Sequence, residues 1–546
     1  MDVTFTKGSG HFSNLEGPSV ETPPEPTGLG EKYFDTMNQF KDKLHQVDAL
    51  TGITETKGSV RSRAIKVAIE MRNRGIQQNQ IVVISSKTHL DQTVALLACL
   101  FIGAIVAPLH TDLPYDDTKR IMSILQPKIA FCGQRSARLY QRVFKEKNIK
   151  CLIFRFGGDG KDFLEFLRCL DNKDDPNFGP AHIADPKRTA AFIVATHGTE
   201  RDPKLVALSH YAVLMRYSPV MGMCKTEKLL SFFPLSWVTQ VLVACMCFHS
   251  QAKIIYAGQF TERSACKFIH DLRIEFVFLD GAFATKIIKN APIQDFDLSC
   301  LKVIWIAGMH ISQASFARLV RTFKGVNIVS TYSTVETGPI CTVTEKIYFN
   351  NKEKLSSVGQ PNTGVSVRIV DELIRTPLVA DKWGELLVKT PGMMLGYYGD
   401  QAGTNKAFNR GFFKTGDIAL SDSDGYIYLR GRASDDIKRE GHVFSSCEIE
   451  DIIRLHPAVE EAAVFGTTNE IIACIVKAPG HDLNATLIKE YLNDMLPPYK
   501  QPTKVNFYEF FPKTLHGQVK KYILKDNIIK LIREESFYHS EHIEED

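Results

Sequence analysis

Along this chain, short unbroken apolar runs alternate with stretches whose apolar residues recur at helical spacing. Gln80-Ile81-Val82-Val83-Ile84-Ser85 predicts a buried strand, and Leu90, Val94, Leu97 and Phe101 then fall on one face of a helix ending at Gly103. Ile105-Val106-Ala107-Pro108-Leu109 follows as the next strand. A strand–helix–strand unit of this length predicts a parallel pair joined by a right-handed crossover. The same pattern recurs at Ala190–Ala195, Cys300–Ile306 and Asn327–Tyr332. From about Ser357 the texture changes to short alternating segments with turns such as Asp422-Ser423-Asp424-Gly425, which predicts a β-rich region. Near Gly431-Arg432 the chain turns charged and loop-like, then resumes as a smaller α+β segment.

Composition narrows the class. A chain of 546 residues is too long for one ordinary core, and 44% hydrophobic with 23% charged residues is the balance of a soluble globular protein. The net charge of +4 comes from 66 basic and 62 acidic residues spread along the chain, which argues against nucleic-acid binding. No run approaches the roughly 18–20 apolar residues needed to span a bilayer. The first thirty residues or so are polar and rich in Gly, Pro, Ser and Thr, and read as a flexible extension without the apolar core of a signal peptide. The twelve cysteines lack CxxC pairs and His partners at ligand spacing, so they read as free thiols of a reducing compartment. The closing residues His542 to Asp546 are not a peroxisomal tripeptide. A cytoplasmic location is the expectation.

Four stretches, in this order, resemble the adenylate-forming (AMP-binding) superfamily, in its acyl- and aryl-CoA synthetase, 4-coumarate–CoA ligase-like and luciferase-like branch. They are Gly384–Val388 with Gly396-Tyr397-Tyr398; Gly411–Asp417; Gly431-Arg432 through Lys438 with Gly441 and Glu448–Glu450; and Pro512-Lys513-Thr514 with Gly517. The resemblance covers about residues 50 to 530. It implies an α/β fold with a large N-terminal domain of two parallel-type sheets plus a β-rich subdomain, and a small mobile α+β C-terminal domain. The expected divisions are an extension at 1–30, the adenylation domain at 31–431 and a lid domain at 432–546.

In that family a carboxylic acid, fatty or aryl, attacks the α-phosphate of ATP to give an acyl-adenylate, and CoA then displaces AMP. The resemblance implies ATP, Mg²⁺ and CoA as cofactors. Carried over by position, Asp417 would accept the ribose hydroxyls, a two-pronged task suited to a carboxylate. Arg432 would lie beside the ribose, Tyr332 near the adenine, and Lys438 with Gly441 in the loop beyond the hinge. Glu336 would hold the metal. Gly198, Thr199 and Lys204 remain from the phosphate loop, with Lys204 in a catalytic role.

Several positions depart from the family. The loop His197–Leu205 has Glu200 at a hydroxyl position, and Arg201 and Leu205 at glycine positions. Small residues there let backbone N–H groups close on phosphates, whereas a carboxylate repels them. Val335 stands where a Thr precedes the metal-binding Glu, and Met309 stands at a small-residue position lining the adenine or acyl pocket. Ser434 replaces the usual hinge Lys or Asp. Trp237 falls at the acyl gate and is readable as gate or as core. Most consequential, Gln518 stands where the family places the Lys that bridges acid and α-phosphate during adenylation. Two readings follow: an acid–CoA ligase of low activity, or a non-catalytic descendant that binds nucleotide, acyl-CoA or protein.

Overall fold

The computed structural model describes residues 14–21, 23–87, 89–157, 163, 177–196, 203–223, 228–467, 470–514 and 517–530. Two sheets with parallel centres make up the larger part. The first runs, edge to edge, Gly396–Tyr397, Leu205–Ser209, Ala190–Ala195, Ile105–Pro108, Ile81–Ser85, Ile129–Cys132 and Leu152–Arg155. The predicted strand–helix–strand unit lies at its middle, with Ile81 opposite Ile105 in parallel register. The second has nine strands, its parallel centre including Lys228–Ser231, Phe276–Leu279, Val303–Ala307 and Asn327–Thr334.

Apolar helices form the layer between the two sheets. Every residue of Leu90–Phe101 is buried, which suits a helix that is hydrophobic all round. Helix Val238–His249 is nearly as apolar and joins the same core, which takes Val82 and Phe192 from one sheet and Phe276 and Val329 from the other. Gly103 ends the first helix with φ +69°, a conformation that costs an L side chain strain, and Ala104 N–H closes the turn on the Cys99 carbonyl at 2.9 Å.

The β-rich region forms an antiparallel sheet of Ser366–Val370, Gly384–Lys389 and Phe412–Ser421, with Ile427–Arg432 paired to the last. Asn14–Glu16, inside the segment expected to be a loose extension, adds an antiparallel edge strand to this sheet. The smaller C-terminal unit combines the hairpin Asp436–Arg439/His442–Ser445, helix Ser446–Leu455 and a three-stranded sheet that starts at Val459–Gly466. Among the described residues no helix is long and apolar enough to cross a membrane, and the ten cysteines are all free thiols.

One buried cation is unusual in this core. Lys57 opens helix Lys57–Asn73 and is fully buried, with Nζ donating to the Cys247 carbonyl at 2.6 Å and lying 3.2 Å from His45 Nδ1. Burial lowers its pKa to about 8. Between that value and the unfolded value of about 10.4 the unfolded chain binds the extra proton, so the cost of burying the charge is full below about pH 8 and is relieved as pH rises. The melting temperature of the native protein relative to Lys57→Met therefore increases from pH 8 to pH 10, measured by thermal melts at matched ionic strength.

Candidate active site

Asp417 lies within the strand Phe412–Ser421, directly across from Arg432 on the neighbouring strand. Its side chain is buried, with 9% of the residue exposed. Arg432 Nε lies 3.1 Å from Oδ1, and Arg432 Nη1 also donates to the Thr415 carbonyl at 2.6 Å. The Tyr332 hydroxyl, from the strand Asn327–Thr334 of the nine-stranded sheet, donates to Oδ2. Burial raises the Asp417 pKa; Arg432 and Tyr332 oppose the rise, and Glu336 adds to it. Burial, followed by the Asp417 charge, pushes the Tyr332 phenol well above its ordinary pKa, so it stays a donor. Tyr332, expected near an adenine, thus also fixes the carboxylate.

A second group lies beside the first. Strand Gly396–Tyr397 pairs antiparallel with Leu205–Ser209, Tyr397 opposite Val206, and this brings Tyr397 beneath Lys204. Lys204 Nζ stands 5.3 Å from the Tyr397 ring centre, and the Tyr397 hydroxyl donates to Glu336 Oε1 at 3.0 Å. Lys204 and Thr196 close the base of the expected phosphate loop: Thr196 N–H donates to the Lys204 carbonyl at 2.7 Å, and Lys204 N–H to Thr196 Oγ1 at 3.1 Å. Gly198, Thr199, Glu200 and Arg201 lie outside the described residues. Leu205 is 3% exposed and packs into the core under the first sheet, and Val335 packs against the large core.

Next to both groups is an apolar cavity of about 570 Å³, counting the solvent space at its mouth. Phe278, Trp305 and Ala307 line it from the second sheet, and Val238, Leu242 and Met246 from a helix. The bulky side chain on this wall is Trp305; Met309, two residues beyond the strand that carries Trp305, is not among the lining residues. Trp237 packs 4.8 Å from Phe233 and lies over Gly308, where a Cβ would come within 2.7 Å of its ring, so its contacts are those of a core residue.

Arg216 also lines the cavity, and nothing in its motif context marked it out. It is 2% exposed. Nε donates to the Gly392 carbonyl at 2.8 Å and Nη2 to the Glu336 carbonyl at 3.0 Å, while Nη1 has no partner among the described residues. Desolvation lowers its pKa to about 9, against a smaller raising effect of Glu336. It is therefore still charged at neutral pH. Gly338, at φ +78°, leaves the room: a Cβ there would stand 2.8 Å from Arg216 Cγ. The one available sequence signal was a lone cation in the apolar run Ala212-Val213-Leu214-Met215-Arg216-Tyr217.

Lys438 and Gln518 belong to the smaller unit, and among the described residues neither is joined by a hydrogen bond or ion pair to Asp417 or Glu336. Lys438 is exposed on its hairpin, opposite Val443. Gln518 closes a tight turn with Thr514, through Thr514 N–H to its carbonyl at 2.7 Å and its own N–H to Thr514 Oγ1 at 3.1 Å. Nearby Lys521 is engaged elsewhere, with Nζ 2.6 Å from Glu450, 3.0 Å from Ser446 Oγ and 3.7 Å from Asp435. Ser434 lies in the short turn Ala433–Asp435 that joins the two units, exposed and next to Asp435.

A buried carboxylate held by an Arg and a Tyr beside an apolar cavity suits a protein of the adenylate-forming class. The comparisons agree: the AMP-binding enzyme model matches residues 33–398 and the AMP-binding enzyme C-terminal domain model matches residues 448–518, and the chain belongs to this family. The putative acyl–CoA ligase YdaB of Bacillus subtilis is 25% identical over 489 residues, covering 87% of this chain and 94% of that protein. The 4-coumarate–CoA ligase-like 9 protein of Arabidopsis thaliana is 24% identical over 544 residues, covering 94% of each. The crystal structure of ATP-bound MatB from Rhodopseudomonas palustris matches the fold with a TM-score of 0.80 at 21% identity, over 92% of this chain and 98% of that one.

Removing the donor to a buried carboxylate oxygen leaves that oxygen desolvated and unmet, at a cost of about 1–3 kcal/mol. Tyr332→Phe is accordingly expected to lower the stability of the larger unit by that order, read as a fall in its melting transition.

Proposed function

We propose that this protein activates a small fatty or aryl carboxylic acid with Mg·ATP as an acyl-adenylate, releasing pyrophosphate, and passes the acyl group to CoA. The observation that carries this reading is the buried Asp417 carboxylate, held by Arg432 and Tyr332 beside an apolar cavity, in a chain of the AMP-binding family.

The residues present fit the groups the reaction needs. Each Asp417 oxygen takes one donor from the protein, and a carboxylate oxygen can accept a second, which leaves both free to receive a ribose hydroxyl. Glu336 presents one carboxylate, and among the described residues no cluster of three or more His, Cys, Asp or Glu could by itself hold a metal. A Mg²⁺ ion suits such a place, since it is usually held by one or two carboxylates with substrate phosphates and water. When bound, it would neutralise phosphate charge. Lys204 would add a cation at the loop base, with Gly198 and Thr199 supplying the phosphate-facing backbone. Lys438 would serve from the loop beyond the hinge.

Gln518 sets the expected pace. It can donate hydrogen bonds but brings no charge to the acid and α-phosphate. Loss of one preorganised group at a developing anion typically costs about 10²–10³ in rate. Gln518→Lys, alone or with Glu200→Thr, is expected to raise acid-dependent AMP production by up to that factor. No gain in well-folded protein would mean that the missing lysine does not limit adenylation here.

Calorimetry with Mg·ATP tests the nucleotide site without a guess at the acid. Binding in the micromolar to low-millimolar range, lost in Asp417→Ala, is the expected result; unchanged binding in that variant would remove Asp417 from the ribose role. Burial raises the Asp417 pKa, and the charged form is the better acceptor. Nucleotide affinity therefore falls on acidification at a pH above the ordinary aspartate range. Arg432→Gln removes an opposing charge and should move that fall to still higher pH, read from binding titrations across the acid range.

A further inference from the structure

Arg216 is a buried cation on which the Glu336 charge acts only beyond ion-pairing distance. Among the described residues no carboxylate lies within ion-pairing distance of it; its two engaged nitrogens are bonded to main-chain carbonyls, and Nη1 has no acceptor. An unpaired buried charge is costly to a fold, and an Arg in a purely structural role is normally matched donor for donor or by a carboxylate. Here the guanidinium plane is pinned by the two carbonyl bonds, and the space that Arg216 borders is the apolar cavity. Gly338 leaves room for the Arg216 stem, since any side chain there would collide with it at a backbone angle that already disfavours one. The rest of the wall, with Trp305, Phe278, Leu242 and Met246, has no charge.

We propose that Arg216 is a specificity-determining residue that receives a second anionic oxygen of the acid substrate, so that the favoured acids carry an apolar body with a second acidic group in addition to the carboxylate to be activated. This rests on the cavity being the acid site of the proposed reaction. Arg suits the task because its planar fork can keep two donors on the protein and offer another to the ligand. A plain alkyl acid would fill the apolar wall but leave the guanidinium buried without an anion.

The test uses the full-length protein and a matched pair of probes, hexanedioate and hexanoate, with binding read by calorimetry in the presence of Mg·ATP analogue that cannot be cleaved. Native protein is expected to bind hexanedioate about ten- to a hundredfold more tightly than hexanoate, the range of a hydrogen bond to a charged group. Arg216→Met should abolish or invert that preference by weakening hexanedioate and sparing hexanoate, and Arg216→Lys should keep part of it. Equal or tighter binding of hexanoate by the native protein overturns the inference, as does a preference that persists in Arg216→Met. Should Arg216→Met not fold, the native pair and Arg216→Lys decide it. Binding of the nucleotide analogue without either acid also counts against the inference, whereas binding of hexanedioate without any AMP production in the presence of ATP and CoA counts against the proposed reaction alone.

Discussion

The contact on which the site depends is the one that meets the Asp417 carboxyl group away from water. A buried carboxylate is unstable unless matched, and here the match comes from two different sheets: Arg432 from the strand beside it, and Tyr332 from the end of the nine-stranded sheet. The same three residues therefore tie the antiparallel sheet to the second parallel-type sheet at the point where a nucleotide would lie. Arg432 is also the last residue before the turn Ala433–Asp435, so the hinge to the smaller unit starts at the carboxylate itself.

From there the polar groups run in one direction across the larger unit. Lys204 stands over Tyr397, Tyr397 donates to Glu336, and the Glu336 carbonyl accepts from Arg216 at the cavity wall. The two ends of this run are thus linked through Glu336, whose side chain meets Tyr397 and whose carbonyl braces Arg216. Phe233, Trp237 and Gly308 pack together near the cavity's rim. This arrangement separates the charged chemistry from an apolar chamber, which is what a site joining a triphosphate to a hydrophobic acid requires.

The smaller unit has its own electrostatic centre. Glu450, 2% exposed, accepts from the Val464 N–H at 2.8 Å and pairs with Lys521 and Arg454. Burial alone would lower the Lys521 pKa, but Glu450 and Asp435 outweigh it and leave it raised. Lys521 is consequently committed to holding the helix Ser446–Leu455 against the hinge turn. Among the described residues its Nζ is met by Glu450, Ser446 and Asp435, with no contact to Gln518.

Much of this was legible in the chain. Apolar runs bounded by turns determine the strands, because a strand buried on both faces has no polar position to spare, and the strands of the unit Ile81–Pro108 pair in parallel as predicted. The ordered motifs carried the family and singled out Asp417, Arg432, Tyr332 and Glu336, of which the first three meet in the fold. What only the tertiary structure decided are the pairings between distant segments. Tyr397 beneath Lys204 depends on a strand pairing across almost two hundred residues, Trp305 and not Met309 is among the side chains that line the cavity, and Arg216 acquires meaning only once an apolar helix is seen to face a cavity. Periodicity tells which face of an element is buried; it does not tell against what. That depends on packing among elements far apart in sequence, where the free energy of an unmatched charge, such as Arg216, first becomes visible.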